Sequence, residues 1–238
     1  MVARRRQGWG RLTILLLLAS VPVMAGPRTN YTIRPESRLW IEGGSNVHAW
    51  RSDATEIQGF INTGALFASY QGTSLGGGSF AVNDSPKVEV FIPISGIRSG
   101  NRIMDKITQG ALKANLQPRI HYQLLSAELV GRADGVDGQF KFRTIGALAV
   151  AGETITVEMT VAVSLEADGL LLAEGQLPMR MSAVGVSPPV ALLGMLKTHD
   201  EVTIHFSLVT VIDPDIVIVV TSPRQNRRKD RTTLEHMK

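Results

Sequence analysis

T-I-T-V-E-M-T-V-A-V-S-L, residues Thr154 to Leu165, decides how this chain folds. Ile155, Val157, Met159, Val161, Val163 and Leu165 fall on one parity, and Thr154, Thr156, Glu158, Thr160, Ala162 and Ser164 on the other. Successive side chains of a strand point to opposite faces, so this is a long strand with one apolar and one polar face; a helix would scatter the same apolar residues around its axis. Ala167-Asp168-Gly169 follows, and Asp-Gly supplies the positive φ of a tight hairpin turn. Alternation then resumes, with Leu171, Ala173, Gly175, Leu177, Met179 and Met181 set against Glu174, Gln176, Pro178 and Arg180. Two such strands joined by a short turn pair antiparallel.

Outward from this hairpin the chain reads as more strands. Ala151-Gly152 is a two-residue link back to a strand over Gln139 to Val150, and Arg119 to Val130 precedes it across the turn-rich Gly131 to Gly138. Lys87 to Ile94 alternates as a strand ending near Pro93. Further upstream, Arg38 to Glu42 and Ser45 to Trp50 read as strand interrupted by a bulge or turn at Gly43-Gly44, and Thr55 to Ile61 as another. Ala65 to Ser85 carries loop chemistry, and its Gly76-Gly77-Gly78-Ser79 lacks the lysine of a phosphate-binding loop. On the other side lie an unusually apolar loop, Val184 to Leu196, a strand over Asp200 to Val211, and an edge-strand candidate, Ile216 to Val220. Asn101 to Leu116 is helical: Ile103, Met104, Ile107, Ala111 and Leu112 recur at helical spacing, Gly100-Asn101 can begin it and Pro118 lies just beyond it.

Eight or nine strands linked mostly by short turns, with one amphipathic helix, predict a mainly β antiparallel barrel, because closure removes exposed sheet edges. The helix suits a sheet face or a barrel mouth. An eight-stranded barrel has an interior either filled by side chains or large enough for one ligand, and periodicity leaves both open.

Composition supports a core: of 238 residues 44% are apolar and 19% charged. Cysteine is absent, which removes disulfides, thiolate metal sites, a thiol nucleophile and a lipidated N-terminal cysteine. Residues 1–25 read as a cleaved signal peptide: Arg4, Arg5, Arg6 and Arg11, then the apolar Leu12 to Val21, then Val23-Met24-Ala25 before Gly26. Export to the periplasm or the exterior is the expectation. The net charge of +4 belongs to the ends, because residues 26–220 carry 15 basic and 19 acidic residues. This disfavours nucleic acid, which wants a basic face on the fold itself. Residues 221–238 hold six basic and two acidic residues and read as a solvated tail, or as an electrostatic contact to anionic lipid.

Three segments together resemble the YceI-like family. They are Leu39-Trp40-Ile41-Glu42-Gly43-Gly44-Ser45-Asn46-Val47-His48-Ala49-Trp50; Pro93 to Asp105, followed by Ala111-Leu112 and Gln117-Pro118-Arg119-Ile120-His121-Tyr122; and Gly146-Ala147-Leu148-Ala149-Val150-Ala151-Gly152-Glu153-Thr154. The resemblance covers about residues 31–210 and makes residues 26–220 the YceI-like domain. It implies an eight-stranded, lipocalin-like antiparallel barrel with one short helix near its mouth and an apolar cavity for a long isoprenoid lipid or quinone-type molecule. Ile103-Met104-Asp105 stands where many members have an Arg-Asp pair, so the polar end of the pocket differs.

Site candidates each carry two readings. His48 and Trp50, two apart on a strand, share a face and are either a polar donor and aromatic wall of a pocket or a structural histidine and a core tryptophan. His121, beside Tyr122 on the opposite face, adds pocket polarity or serves structure. Asn101, Arg102 and Asp105 meet a phosphate or hydroxyl head group at the helix N-terminus, or cap and solvate it. Met179 and Met181 suit either a core or a pocket for a floppy chain. No compact histidine spacing supports a metal, and no Gly-x-Ser-x-Gly elbow or carboxylate pair supports catalysis. The expected function is a non-catalytic lipid carrier without cofactor. The alternatives are a filled barrel that docks a partner through Val184 to Leu196, and a lipid-modifying enzyme with His48 or His121 as general base.

Overall fold

The computed structural model describes residues 29–63, 86–132, 138–166, 169–191 and 195–213. The expected signal peptide, the Ala65 to Ser85 loop, the Ile216 to Val220 strand and the basic tail lie outside these residues. The strands are β1 (Asn30–Ile33), β2 (Arg38–Ser45), β3 (Ala49–Ala54), β4 (Gln58–Asn62), β5 (Lys87–Pro93), β6 (Ile97–Arg98), β7 (Arg119–Arg132), β8 (Gln139–Val150), β9 (Glu153–Leu165), β10 (Leu171–Arg180), β11 (Val190–Ala191) and β12 (Leu196–Ile212). The helix α1 spans Arg102–Ala111.

Around the wall the order is β1-β4-β5-β7-β8-β9-β10-β12, and β12 pairs with β1 to close an antiparallel barrel of eight strands. The remaining wall segments continue three of these strands. β2 prolongs β1, β3 runs into β4, and β5 runs into β6, each pair broken in its middle. The breaks lie side by side and form a corner. At the first, the Ser37 hydroxyl donates to Val209 O and accepts from Val209 N, standing in for a lost backbone rung. At the second, Thr55 N donates to Gly96 O. At the third, a 3-10 turn over Ile94–Gly96 buries Ile94 completely.

The two strands read from Thr154 to Met181 pair antiparallel over five rungs, from Leu171 opposite Leu165 to Gly175 opposite Val161; Ala167 and Asp168 of the expected turn lie outside the described residues. Beyond Gly175 and Val161, β9 and β10 part. The gap is plugged by the segment after β10, where Val184 and Val186 are each 3% exposed. The apolar character of the Val184 to Leu196 loop is therefore partly core. The Ala151-Gly152 link is a turn with positive φ at both residues, 53° and 90°, joining Val150 to Glu153.

The chain turns between Ser45 and Ala49, inside the strand expected over Ser45 to Trp50. Gly43-Gly44 does not interrupt the strand, and β2 runs through both residues. The irregularity sits on the partner strand instead, between Thr198 and Val202 of β12. The glycines are there for space: a Cβ added at Gly43 would lie 2.4 Å from Trp50 Cζ2, and one at Gly44 2.9 Å from His199 Nδ1.

Candidate functional site

Inward side chains from β2 through β10 and from β12 line a cavity of about 840 Å³. Met159, Val161 and Val163 of the deciding strand line it, as do Met179 and Met181. The interior is therefore hollow, not filled. α1 crosses the end of the barrel that carries the β2–β3 turn, and it presents Met104, Ile107, Thr108 and Ala111 to the cavity. Its length follows from its caps. The Asn101 Oδ1 accepts from Ile103 N at 2.9 Å and Met104 N at 3.3 Å, and Leu112 N still bonds to Thr108 O. Past it, Lys113 takes a positive φ of 54° and the helix stops short of Leu116, the end expected from spacing.

The hollow depends on glycines. Trp50, Tyr122 and Phe206 all point inward, and each lies over a glycine of its own or a neighbouring strand. A Cβ at Gly146 would come 2.2 Å from Tyr122 Cε2, and one at Gly175 2.6 Å from Phe206 Cζ. Gly43 gives Trp50 the same seat, and the indole Nε1 donates to Gly44 O at 3.1 Å. Flat against the wall, these rings add apolar surface without occupying the lumen.

Polarity inside is sparse and mostly neutral. Tyr122 and Thr144 sit together part-way along the barrel, and burial pushes the Tyr122 phenol above its ordinary pKa while the adjacent Thr144 hydroxyl opposes that shift. Thr144 donates to Met159 O at 3.0 Å, so towards Tyr122 it acts as an acceptor. Ser45, His48, Ser99, Asn101 and Thr198 gather at the helix-covered mouth. Among the described residues that line the cavity, Arg51 is the one with a permanently charged side chain, and its guanidinium is engaged by Asp53 at 2.5 Å and by the Trp40 ring at 4.6 Å. An anion buried in such a lining would lack a partner, at a cost of several kcal/mol even after relaxation (order of magnitude).

The sequence candidates divide by position. His48, Trp50, Asn101 and Tyr122 line the cavity. His48 is exposed at the rim, where Ser45 Oγ donates to its carbonyl and accepts from its N–H. Arg102, Asp105 and His121 are not brought into the cavity. Arg102 faces solvent. Asp105 is buried against the chain before α1, accepting from Ser99 N and Ser99 Oγ at 2.7 Å each, with Arg98 3.7 Å away. These bonds hold its carboxyl below the usual aspartate range and make it a tether for the helix. His121 lies on the outer wall, stacked on Phe91 at 4.4 Å; its Nε2, 3.5 Å from Glu89, makes no hydrogen bond. Thr144 and the seats Gly43, Gly146 and Gly175 are the site residues that sequence reasoning missed. The available signal was a glycine at inward parity on a strand beside one carrying an inward aromatic.

No family model matches the chain, and no curated protein matches it by sequence. Solved structures do match in shape. BcnA of Burkholderia cenocepacia superposes with a TM-score of 0.55 at 15% identity over 75% of this chain and 99% of its own. A polyisoprenoid binding domain from Saccharophagus degradans, implicated in plant cell wall breakdown, gives 0.54 at 11% identity over 77% and 98%. A Campylobacter jejuni YceI protein is also similar, at 0.41 and 16% identity over 60% and 88%. The first two likenesses, joined to the closed barrel and the one α-helix among the described residues, show that this chain has the fold of those two proteins, the fold that the resemblance of its three sequence segments implies.

Proposed function

We propose that this protein is a non-catalytic carrier that holds an isoprenoid-type or quinone-type lipid in its barrel, with the tail along the apolar wall and the polar end at the mouth under α1. The observation that carries the reading is a hollow interior of about 840 Å³ whose lining is apolar apart from a few neutral groups and Arg51, whose guanidinium is taken up by Asp53 and the Trp40 ring. That volume lies within the 300–1,000 Å³ or so usual for ligand pockets. Each buried CH₂ contributes about 0.8 kcal/mol, so a chain of some twenty carbons can outweigh the roughly 4–15 kcal/mol cost of association without a charged anchor. The binding attributed to the Saccharophagus degradans domain agrees with this reading. Among the described residues no buried cation lines the cavity, which favours a neutral lipid, or one whose charged head stays at the rim. We also place the protein outside the cytoplasm, exported by residues 1–25, with its basic tail available to anionic membranes.

The test is mass spectrometry of organic extracts from the protein isolated from an exporting host. One equivalent of an isoprenoid-type lipid, on a mature chain that starts at Gly26, is expected. Extracts with no lipid, from protein that also fails to take one up when reconstituted, would reject the carrier.

A further inference from the structure

The mouth is ringed by apolar side chains that do not face the cavity. Val47 at the β2–β3 turn is 67% exposed, Leu116 beyond α1 77%, Met195 ahead of β12 77% and Val190 57%. None of them lines the cavity, so a bound lipid does not account for them. Three form one patch. The Asn46 side chain donates to Met195 O and accepts from Lys197 N, both at 2.9 Å, and Val190 pairs with Lys197. Leu116 bonds back to Lys113, whose Nζ donates to Ala151 O in the β8–β9 turn at the same end of the barrel. Ile103, on the rim itself, is 71% exposed. Single exposed apolar residues are ordinary, but a group around the opening of an apolar cavity marks an interaction surface.

Charge says what the surface meets. α1 turns its apolar face to the cavity and leaves Arg102 and Lys106 in solvent, while its one acid, Asp105, is buried on Ser99. Arg98, 3.7 Å from Asp105, is exposed on the same side, and Lys113 at the far end of the helix. On that side Asp53, opposite Arg98, is taken up by Arg51, while Glu153 beside Gly185, Asp200 bonded to Ser182 and Glu201 paired with Arg180 lie across the mouth.

We propose that this end of the barrel docks on an anionic lipid bilayer, with Val47, Leu116, Val190 and Met195 in the interfacial layer and Arg102 and Lys106 over the head groups. The purpose of such docking rests on the carrier reading: a lipid passing between bilayer and cavity would keep its tail out of water. The surface itself is independent of that reading.

The full chain is tested by flotation with phosphatidylcholine vesicles, with and without one part in three of phosphatidylglycerol. Binding to the anionic vesicles, weakened by high salt, is expected. Val47→Ser/Leu116→Ser/Met195→Ser should lower vesicle affinity at least about tenfold through lost apolar burial. Arg102→Gln/Lys106→Gln should lower it roughly thirtyfold, about fivefold per charge, on anionic vesicles alone. Both variants should keep the native circular dichroism spectrum and wild-type uptake of a fluorescent polyene lipid offered without vesicles. Wild-type protein that ignores anionic vesicles overturns the proposal, as does unchanged affinity in both variants, which would assign attachment to the basic tail. Loss of vesicle binding in the variants, with no polyene uptake by wild type, would reject the carrier and leave the docking surface standing.

Discussion

Trp40 and Trp50 stand on neighbouring strands and face opposite sides of the same wall. Trp40 points out. It stacks on His205 of β12 at 5.0 Å and 7°, takes the Arg51 guanidinium of β3 at 4.6 Å, and donates its indole N–H to Glu42. Trp50 points in and lies in the seat left by Gly43. The contrast repeats at consecutive residues of β7: His121 stacks outside on Phe91, and Tyr122 lies inside over Gly146. Outside, a ring exposed to water is matched to cations and polar edges. Inside, it is matched to the absence of a side chain. The outer arrangement tunes a surface, whereas the inner one keeps a lumen open, so equal-sized changes on the two faces should have unequal consequences.

The largest effect is expected where a glycine serves the backbone itself. Gly59 has φ of 148°, and a Cβ there would lie 2.1 Å from Glu89 O on the paired strand. Gly59→Ala should destabilise by on the order of 3 kcal/mol, read in urea melts, because neither strand can yield without breaking the β4–β5 ladder. Gly146→Val separates folding from binding. The Tyr122 ring can swing off the wall into the lumen, so a stability loss of about 1–3 kcal/mol should accompany loss of saturable lipid uptake. Trp40→Ala, on the outer face, should cost about 1 kcal/mol and leave lipid uptake unchanged. Tyr122→Phe should cost roughly 0.5–1 kcal/mol in urea melts, the worth of its hydrogen bond to Thr144, and leave lipid uptake unchanged. The smallest effect concerns acid. Asp105 has a folded pKa below its unfolded value of about 3.9, so it adds stability above that pH and loses it as pH falls through the folded value. Asp105→Asn should therefore flatten the acid limb of the stability curve below about pH 4, with helix fraying read by circular dichroism.

Period-two patterning makes most of this architecture legible in the sequence. Thr154 to Leu165 shows its inward face in plain alternation, and Gln139 to Val150 begins and ends where alternation does. What stayed hidden depended on partners far along the chain. Gly43-Gly44 looks like an interruption locally, because the ring that needs the space belongs to the next strand. Locally, His121 and Asp105 read as pocket chemistry or as residues spent on structure. Only the register that pairs Phe91 with His121, and the buried fold of Ser99 onto Asp105, show that here they are the latter. The hollow was equally unreadable, since an apolar inward face is the same in a filled barrel and an empty one until the aromatics are laid along the wall.

The central claim is that glycine-seated rings keep a lipid-sized lumen open, and titration of delipidated wild-type and Gly146→Val protein with a fluorescent polyene lipid tests it most directly. Saturable one-to-one binding by wild type, displaced by a polyprenol and lost in a folded Gly146→Val protein, is the predicted result. Absence of saturable binding by wild type, or equal binding by the two proteins, would contradict it.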